Sequence, residues 1–174
     1  MSKQSPDAVR ELRRAAADAA AAFGAATDAV DSAAAELLGV NRTDLRILGL
    51  VGEAGTMAAG TLATAAGLSP PATTTAIQRL VAAGHLTRRV DDRDRRRAVV
   101  ALTPPAHDLL NRVYAPIGRA GRREIARYSA DELAVILDFL RRGIRLQLGQ
   151  AERIRTMAEP AGLAALGGSR LDNR

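Results

Sequence analysis

Apolar residues recur at spacings of three and four from near the start of the chain: Val9, Leu12, Ala16, Ala19, Phe23, Ala26, Val30, Ala33 and Leu37. Such an a/d seam, held over about four heptads, predicts one long helix across residues 6–38. Its polar face carries Arg13, Arg14, Asp18 and Asp28. Gly39 suits its end, where φ is often positive. Asn41 then reads as the N-cap of a helix over 42–53, with Asp44 at N3 and Leu45, Leu48 and Val51 facing a core. Ala58–Ala66 reads as a short helix with Leu62, Ala63 and Ala66 inward. Gly67 fits the C′ position, Leu68 plugs the turn, and Ser69 caps a further helix that opens on Pro70 and is stopped by Gly84. Thr73-Thr74-Thr75 is poor helix material by propensity. Those hydroxyls predict a partner outside the helix.

The period then changes. Leu86–Val90 and Ala98–Leu102 are short runs rich in β-branched residues around a polar tip, 91–97, and read as a β-hairpin. Thr103 caps the next helix, with Pro104 at N1, over residues 104 to about 127. Pro116 is expected to kink or end it. Ser129-Ala130-Asp131-Glu132 is a capping box for a last helix. There Leu133, Leu137, Leu140, Ile144, Leu148 and Ala151 form one stripe. Pro160 is expected to end that helix, and 161–174, rich in Gly and Ala, to fray. The fold class expected is mostly α with a small β-hairpin wing. Helix, turn, helix, basic hairpin is the chain order of a winged helix-turn-helix, which points to duplex DNA. The organisation expected is an N-terminal dimerisation helix (1–40), a DNA-binding lobe (41–103), linking and dimerisation helices (104–160), and a tail (161–174).

Composition sharpens this. Hydrophobic residues make up 47% of the 174, yet aromatics only 2%. Alanine favours helix but buries little area, so a helical chain of this kind gains core by pairing with a second chain. Cysteine is absent, which excludes disulfides, thiolate metal sites and cysteine redox switches. No apolar run is long enough to span a membrane, and the first residues lack the apolar core of a secretory signal. A soluble cytoplasmic protein is expected. The only histidines, His85 and His107, lack metal-site spacing and are assigned structural roles. No catalytic triad, phosphate-binding glycine loop or carboxylate pair stands out, so neither enzyme activity nor a cofactor is expected.

The net charge is +6, unevenly spread. Residues 1–40 are net acidic. The hairpin, 84–97, carries six arginines against Asp91, Asp92 and Asp94, and 112–128 carries five arginines against Glu124. Localised basic patches are the electrostatic footprint of nucleic-acid binding. Guanidinium groups at the tip (Arg93, Arg95, Arg96, Arg97) fork onto phosphates and fit the minor groove.

Residues 41–142 resemble the MarR family of winged-helix transcription regulators. The strings that carry the resemblance are NRTDLRILGLVGEAG, TLATAAGLSPPATTTAIQRLVAAGHLTRRV, DDRDRRRAVVALTPPAHDLL and YSADELAVILDFLRR. Asp94-Arg95-Arg96 followed by Leu102-Thr103-Pro104 is the most specific part. The resemblance implies a homodimer on a pseudo-palindromic operator, usually a repressor, often released by a small-molecule effector bound between the DNA lobe and the dimer helices. It makes Ser69–Ala83 the recognition helix, with Ser69, Thr73, Thr74, Thr75, Gln78 and Arg79 toward DNA. Gln can pair with adenine, and Thr can offer a hydroxyl or methyl to a base edge. Arg96 takes the place of the family's minor-groove wing arginine, and Asp94 that of the carboxylate orienting it. Arg95 and Arg97 then serve phosphates, and Arg93 stands with them toward DNA. Tyr114, on the helix after the wing, reads equally as a lining residue of a ligand pocket or as a plain core tyrosine. The chain departs from the family at Thr75, often an arginine there, and at Pro70-Pro71. The alternative reading is a winged-helix dimer that serves as a protein-interaction module.

Overall fold

The computed structural model describes residues 5–90 and 98–157. The chain divides after Pro116 into two compact units. The first holds helix α1 (Pro6–Leu38), α2 (Arg42–Ala54), strand β1 (Thr56–Ala58), α3 (Ala59–Ala66), α4 (Pro70–Ala82), β2 (Leu86–Val90), β3 (Ala98–Leu102) and the start of α5 (Pro104–Ile125). The second holds the rest of α5 and α6 (Ala130–Met157).

The boundaries follow from local chemistry. Ser5, Asn41 and Ser69 each accept the backbone N–H three residues on, satisfying a donor the helix itself leaves orphaned. The helices α1 and α3 end alike. Gly39 and Gly67 take left-handed conformations, φ 66° and 65°, and the next N–H reaches back to Ala35 and Ala63. A side chain would strain that turn. In the second unit the Ser129 N–H donates to the Glu132 carboxylate at 2.8 Å, and the Glu132 N–H returns to Ser129 Oγ. These bonds hold the Glu132 carboxyl below its usual range, the side-chain bond from Ser129 contributing most.

The sheet is antiparallel in the order β1-β3-β2. Val90 pairs with Ala98 and Leu86 with Leu102, so the hairpin closes around the segment 91–97. The third strand, β1, is not foretold by the sequence. Its three residues are too few to show an alternation, and only pairing with β3, Met57 opposite Val100 at its centre, defines it. The helix α3 consequently starts at Ala59, without a side-chain cap.

The core of the first unit sits where α2, α3, α4 and the sheet meet. Ile47, Leu48, Val51, Leu62, Ile77, Leu80, Leu86 and Val100 are all at most 2% exposed. The end of α1 closes one side through Ala34, Ala35 and Leu38. His85 ties that end to the hairpin, its Nε2 lying 3.0 Å from the Leu38 carbonyl oxygen.

Two expectations about α5 and α6 have separate outcomes. Pro116 does not end α5, which continues to Ile125. The one bond the proline cannot donate is to the Arg112 carbonyl. Arg112 is exposed, so water can serve that carbonyl. The expected end of α6 at Pro160 and the tail beyond it lie outside the described residues. Along α6 no residue is buried, and Val135, Leu137, Phe139, Leu140, Ile144 and Leu148 stand exposed. In α1, Leu12, Phe23, Val30 and Leu37 are likewise exposed.

Candidate nucleic-acid interface

The turn between α3 and α4 sets the helix that matters. Gly67 reverses the chain, the Leu68 N–H donates to the Ala63 carbonyl at 3.0 Å, and Ser69 Oγ caps Ala72. Pro70 and Pro71 then occupy the first turn, where a missing N–H goes unnoticed. Along α4, Ala76, Ile77 and Leu80 point into the core. Thr74, Thr75, Gln78 and Arg79 remain exposed, as does Ser69. Thr74, Thr75 and Gln78 therefore share one open face, as their spacing requires.

Thr73 is a correction. The sequence reading sets it among the outward residues, but it is 1% exposed and its hydroxyl donates to the Ser69 carbonyl at 3.0 Å. Thr73 stands four and seven residues before Ile77 and Leu80, on the buried stripe. That spacing is visible in the sequence. The threonine run has a local explanation too. Thr74 and Thr75 donate to the carbonyls of Pro70 and Pro71, at 3.0 and 3.1 Å. Back-bonding to the carbonyl one turn earlier satisfies the hydroxyl protons without an outside partner. Methyl groups and oxygen lone pairs stay available to a base edge.

Arg79 is engaged within the protein. Its Nε and Nη2 both lie 2.7 Å from the two carboxylate oxygens of Asp44, at the start of α2. The hydrogen bonds and charge of Asp44 raise the guanidinium pKa further above its ordinary value. Sequence reasoning takes Asp44 as a capping residue and misses this role. A signal is present, since Asp44 shares a helical face with Leu48 and Val51 and is 1% exposed.

The hairpin strands deliver the chain to the wing tip. The tip itself, with Arg93, Asp94, Arg95, Arg96 and Arg97, lies outside the described residues.

The first unit also contains a cavity of about 780 Å³ between α1, α2, the end of β3 and the start of α5. Leu45, Leu48, Leu102 and Leu110 give it apolar walls, and Asp31, Glu53, His107, Asn111 and Tyr114 supply polar groups. The Tyr114 hydroxyl donates to Asp31 at 3.0 Å. Burial, then the bond to Asp31 and its charge, push the phenol up to about 12. Beside it, Arg42 donates to Asp28 at 2.6 Å and to Ser32 at 3.3 Å, joining α2 to α1. Among the described residues no cluster of His, Asp or Glu could hold a metal ion, and no helix is long and apolar enough to cross a membrane.

A sequence profile of the MarR family matches residues 38–97. YcgE of Bacillus subtilis strain 168, an uncharacterized HTH-type transcriptional regulator, is 30% identical over 145 residues, covering 83% of this chain and 94% of the relative. Among solved structures, a point mutant of MepR from a multidrug-resistant S. aureus clinical isolate superposes with a TM-score of 0.58 at 14% identity, over 75% of this chain and 96% of its own. NadR in complex with 4-hydroxyphenylacetate superposes at 0.51 with 19% identity, over 82% and 94%. Both share the fold described above.

Proposed function

This chain belongs to the MarR family of transcription regulators, and on that premise we propose that it is a homodimeric repressor. It binds a pseudo-palindromic operator and leaves it when a small ligand enters the α1/α2/α5 cavity. The observation that carries this reading is the face of α4. Thr74, Thr75 and Gln78 stand exposed together on a helix whose opposite side is locked into the core. A helix presented this way can enter a major groove, with Gln78 offered to adenine. Residues 41–103 form the DNA-binding lobe. The Ser69 hydroxyl meets phosphate, Arg96 enters the minor groove from the wing with Asp94 orienting it, and Arg93, Arg95 and Arg97 contact phosphates.

The dimer rests on α1 and α6. Each leaves a run of large apolar side chains uncovered in a single chain, more than a helix in water tolerates. Residues 1–40 and 104–160 therefore cover each other in a two-fold pair. The ligand reading rests on the cavity, whose apolar walls and few polar groups suit a small organic molecule. NadR, of similar fold, was solved with such a molecule, 4-hydroxyphenylacetate. Nothing in this role calls for catalysis.

The test is selection from a random duplex library, followed by mobility shifts at two salt concentrations. The expected result is a two-fold symmetric consensus with half-sites about 10 bp apart. Failure to enrich any sequence, with a protein partner recovered instead, would favour the interaction-module reading.

A further inference from the structure

Asp44 and Arg79 lie 35 residues apart in sequence and form the only polar link between α2 and α4 among the described residues. The Asp44 side chain is 2% exposed, that of Arg79 49%. A carboxylate so far out of water is tolerable only when its charge is paired and its oxygens are bonded. Arg79 supplies both, with one planar fork. It cannot turn Nε and Nη2 to a phosphate without leaving that buried charge alone, so only Nη1 stays uncommitted. Asp44 is itself anchored, because its backbone N–H donates to the Asn41 cap at 2.8 Å and its neighbour Leu45 is in the core. The fork therefore fixes the direction of α4 against α2 at a point beside Gln78 and one turn beyond Thr75. Two parallel bonds resist rotation in a way that a single ammonium contact would not.

We propose that the Asp44–Arg79 fork is a clamp that sets how α4 presents Thr74, Thr75 and Gln78 to base edges, and that Arg79 is a positioning residue and not a phosphate contact. The inference rests on the reading of α4 as a DNA-recognition helix, and it removes from the DNA-contact set the one arginine that α4 carries.

The experiment uses the full chain, the duplex that the parent protein selects from a random library, and a scrambled duplex of equal length. Binding to both is followed across salt for the parent, Arg79→Ala, Arg79→Lys and the double variant Arg79→Ala/Asp44→Asn. A clamp predicts that Arg79→Ala and Arg79→Lys each lower the preference for the selected duplex by about tenfold, the size of coupling usual within one ion-pair network. The salt slope stays that of the parent on both duplexes, and the double variant is no worse than Arg79→Ala. Helicity by circular dichroism checks folding, and the double variant relieves the buried charge should Arg79→Ala fail to fold. A slope flattened by about one on both duplexes, with preference intact and restored by lysine, would mean that Arg79 contacts phosphate, and would overturn the clamp alone. A parent that selects no duplex overturns the DNA-binding reading and the clamp with it.

Discussion

The lobe formed by α2, α3, α4 and the sheet, and the long terminal helices, are built from the same helical periodicity with opposite outcomes. In the lobe, three short helices and a three-stranded sheet enclose Ile47, Leu48, Val51, Leu62 and Leu80, none of which is exposed at all. In α6, 28 residues long, nothing is buried. An apolar stripe is thus not itself a core. Short elements joined by tight turns can fold back on one another. Among the described residues nothing in α6 is buried, and the proposed dimer would supply its cover.

The largest expected effect would break the contrast at its incomplete end. Replacing Leu137, Leu140, Ile144 and Leu148 together by serine should convert the proposed dimer to a monomer, read by sedimentation or light scattering. A variant that stays dimeric would place the interface elsewhere. The complete end can be tested with one residue. Leu48→Ala should cost about 3 kcal/mol of stability, because the closed lobe cannot collapse onto the cavity left behind. Denaturant unfolding at several protein concentrations checks it. Leu140→Ala should instead act through its concentration dependence, if the second chain of the proposed dimer covers it.

Function offers a finer division. Arg96→Ala should weaken operator binding by about 1–3 kcal/mol if it enters the minor groove, whereas Arg95→Ala should lower binding to all duplexes alike. A change in Arg96→Ala that is equal on operator and scrambled duplex would put both arginines on phosphates.

The smallest effect probes a bond between α1 and α5, beside the lobe within the first unit. Tyr114 bonds to Asp31 of α1 as a neutral phenol, and its folded pKa, about 12, lies above the ordinary 10.0. The folded state therefore holds this proton more tightly than the unfolded chain. The resulting stabilisation is complete below pH 10 and disappears as pH rises through about 12. Tyr114→Phe should lower the melting temperature modestly below pH 10, where the bond to Asp31 is intact, and should flatten the further fall over that alkaline window.

What was legible in the sequence was local. The caps at Asn41, Ser69 and Ser129, the glycine stops at Gly39 and Gly67, and the strands of the hairpin all depend on residues within a few positions of one another. Their hydrogen bonds are the ones that spacing foretells. The lobe's fold and the open face of Thr74, Thr75 and Gln78 followed from those signals. Thr73 was misplaced although its spacing to Ile77 and Leu80 gave it away. Threonine is amphipathic, and its hydroxyl can be buried once it bonds back to the Ser69 carbonyl.

Capping and periodicity act over one or two turns, so spacing alone marks the helical segments, most of their ends and the apolar stripe of each. Which stripes find cover, the completion of the sheet by Thr56-Met57-Ala58, and the meetings of Asp44 with Arg79 and of Asp31 with Tyr114 arise from long-range packing. Those pairs lie 35 and 83 positions apart. Their energies come from burial and mutual approach, and neither exists until the chain has closed on itself.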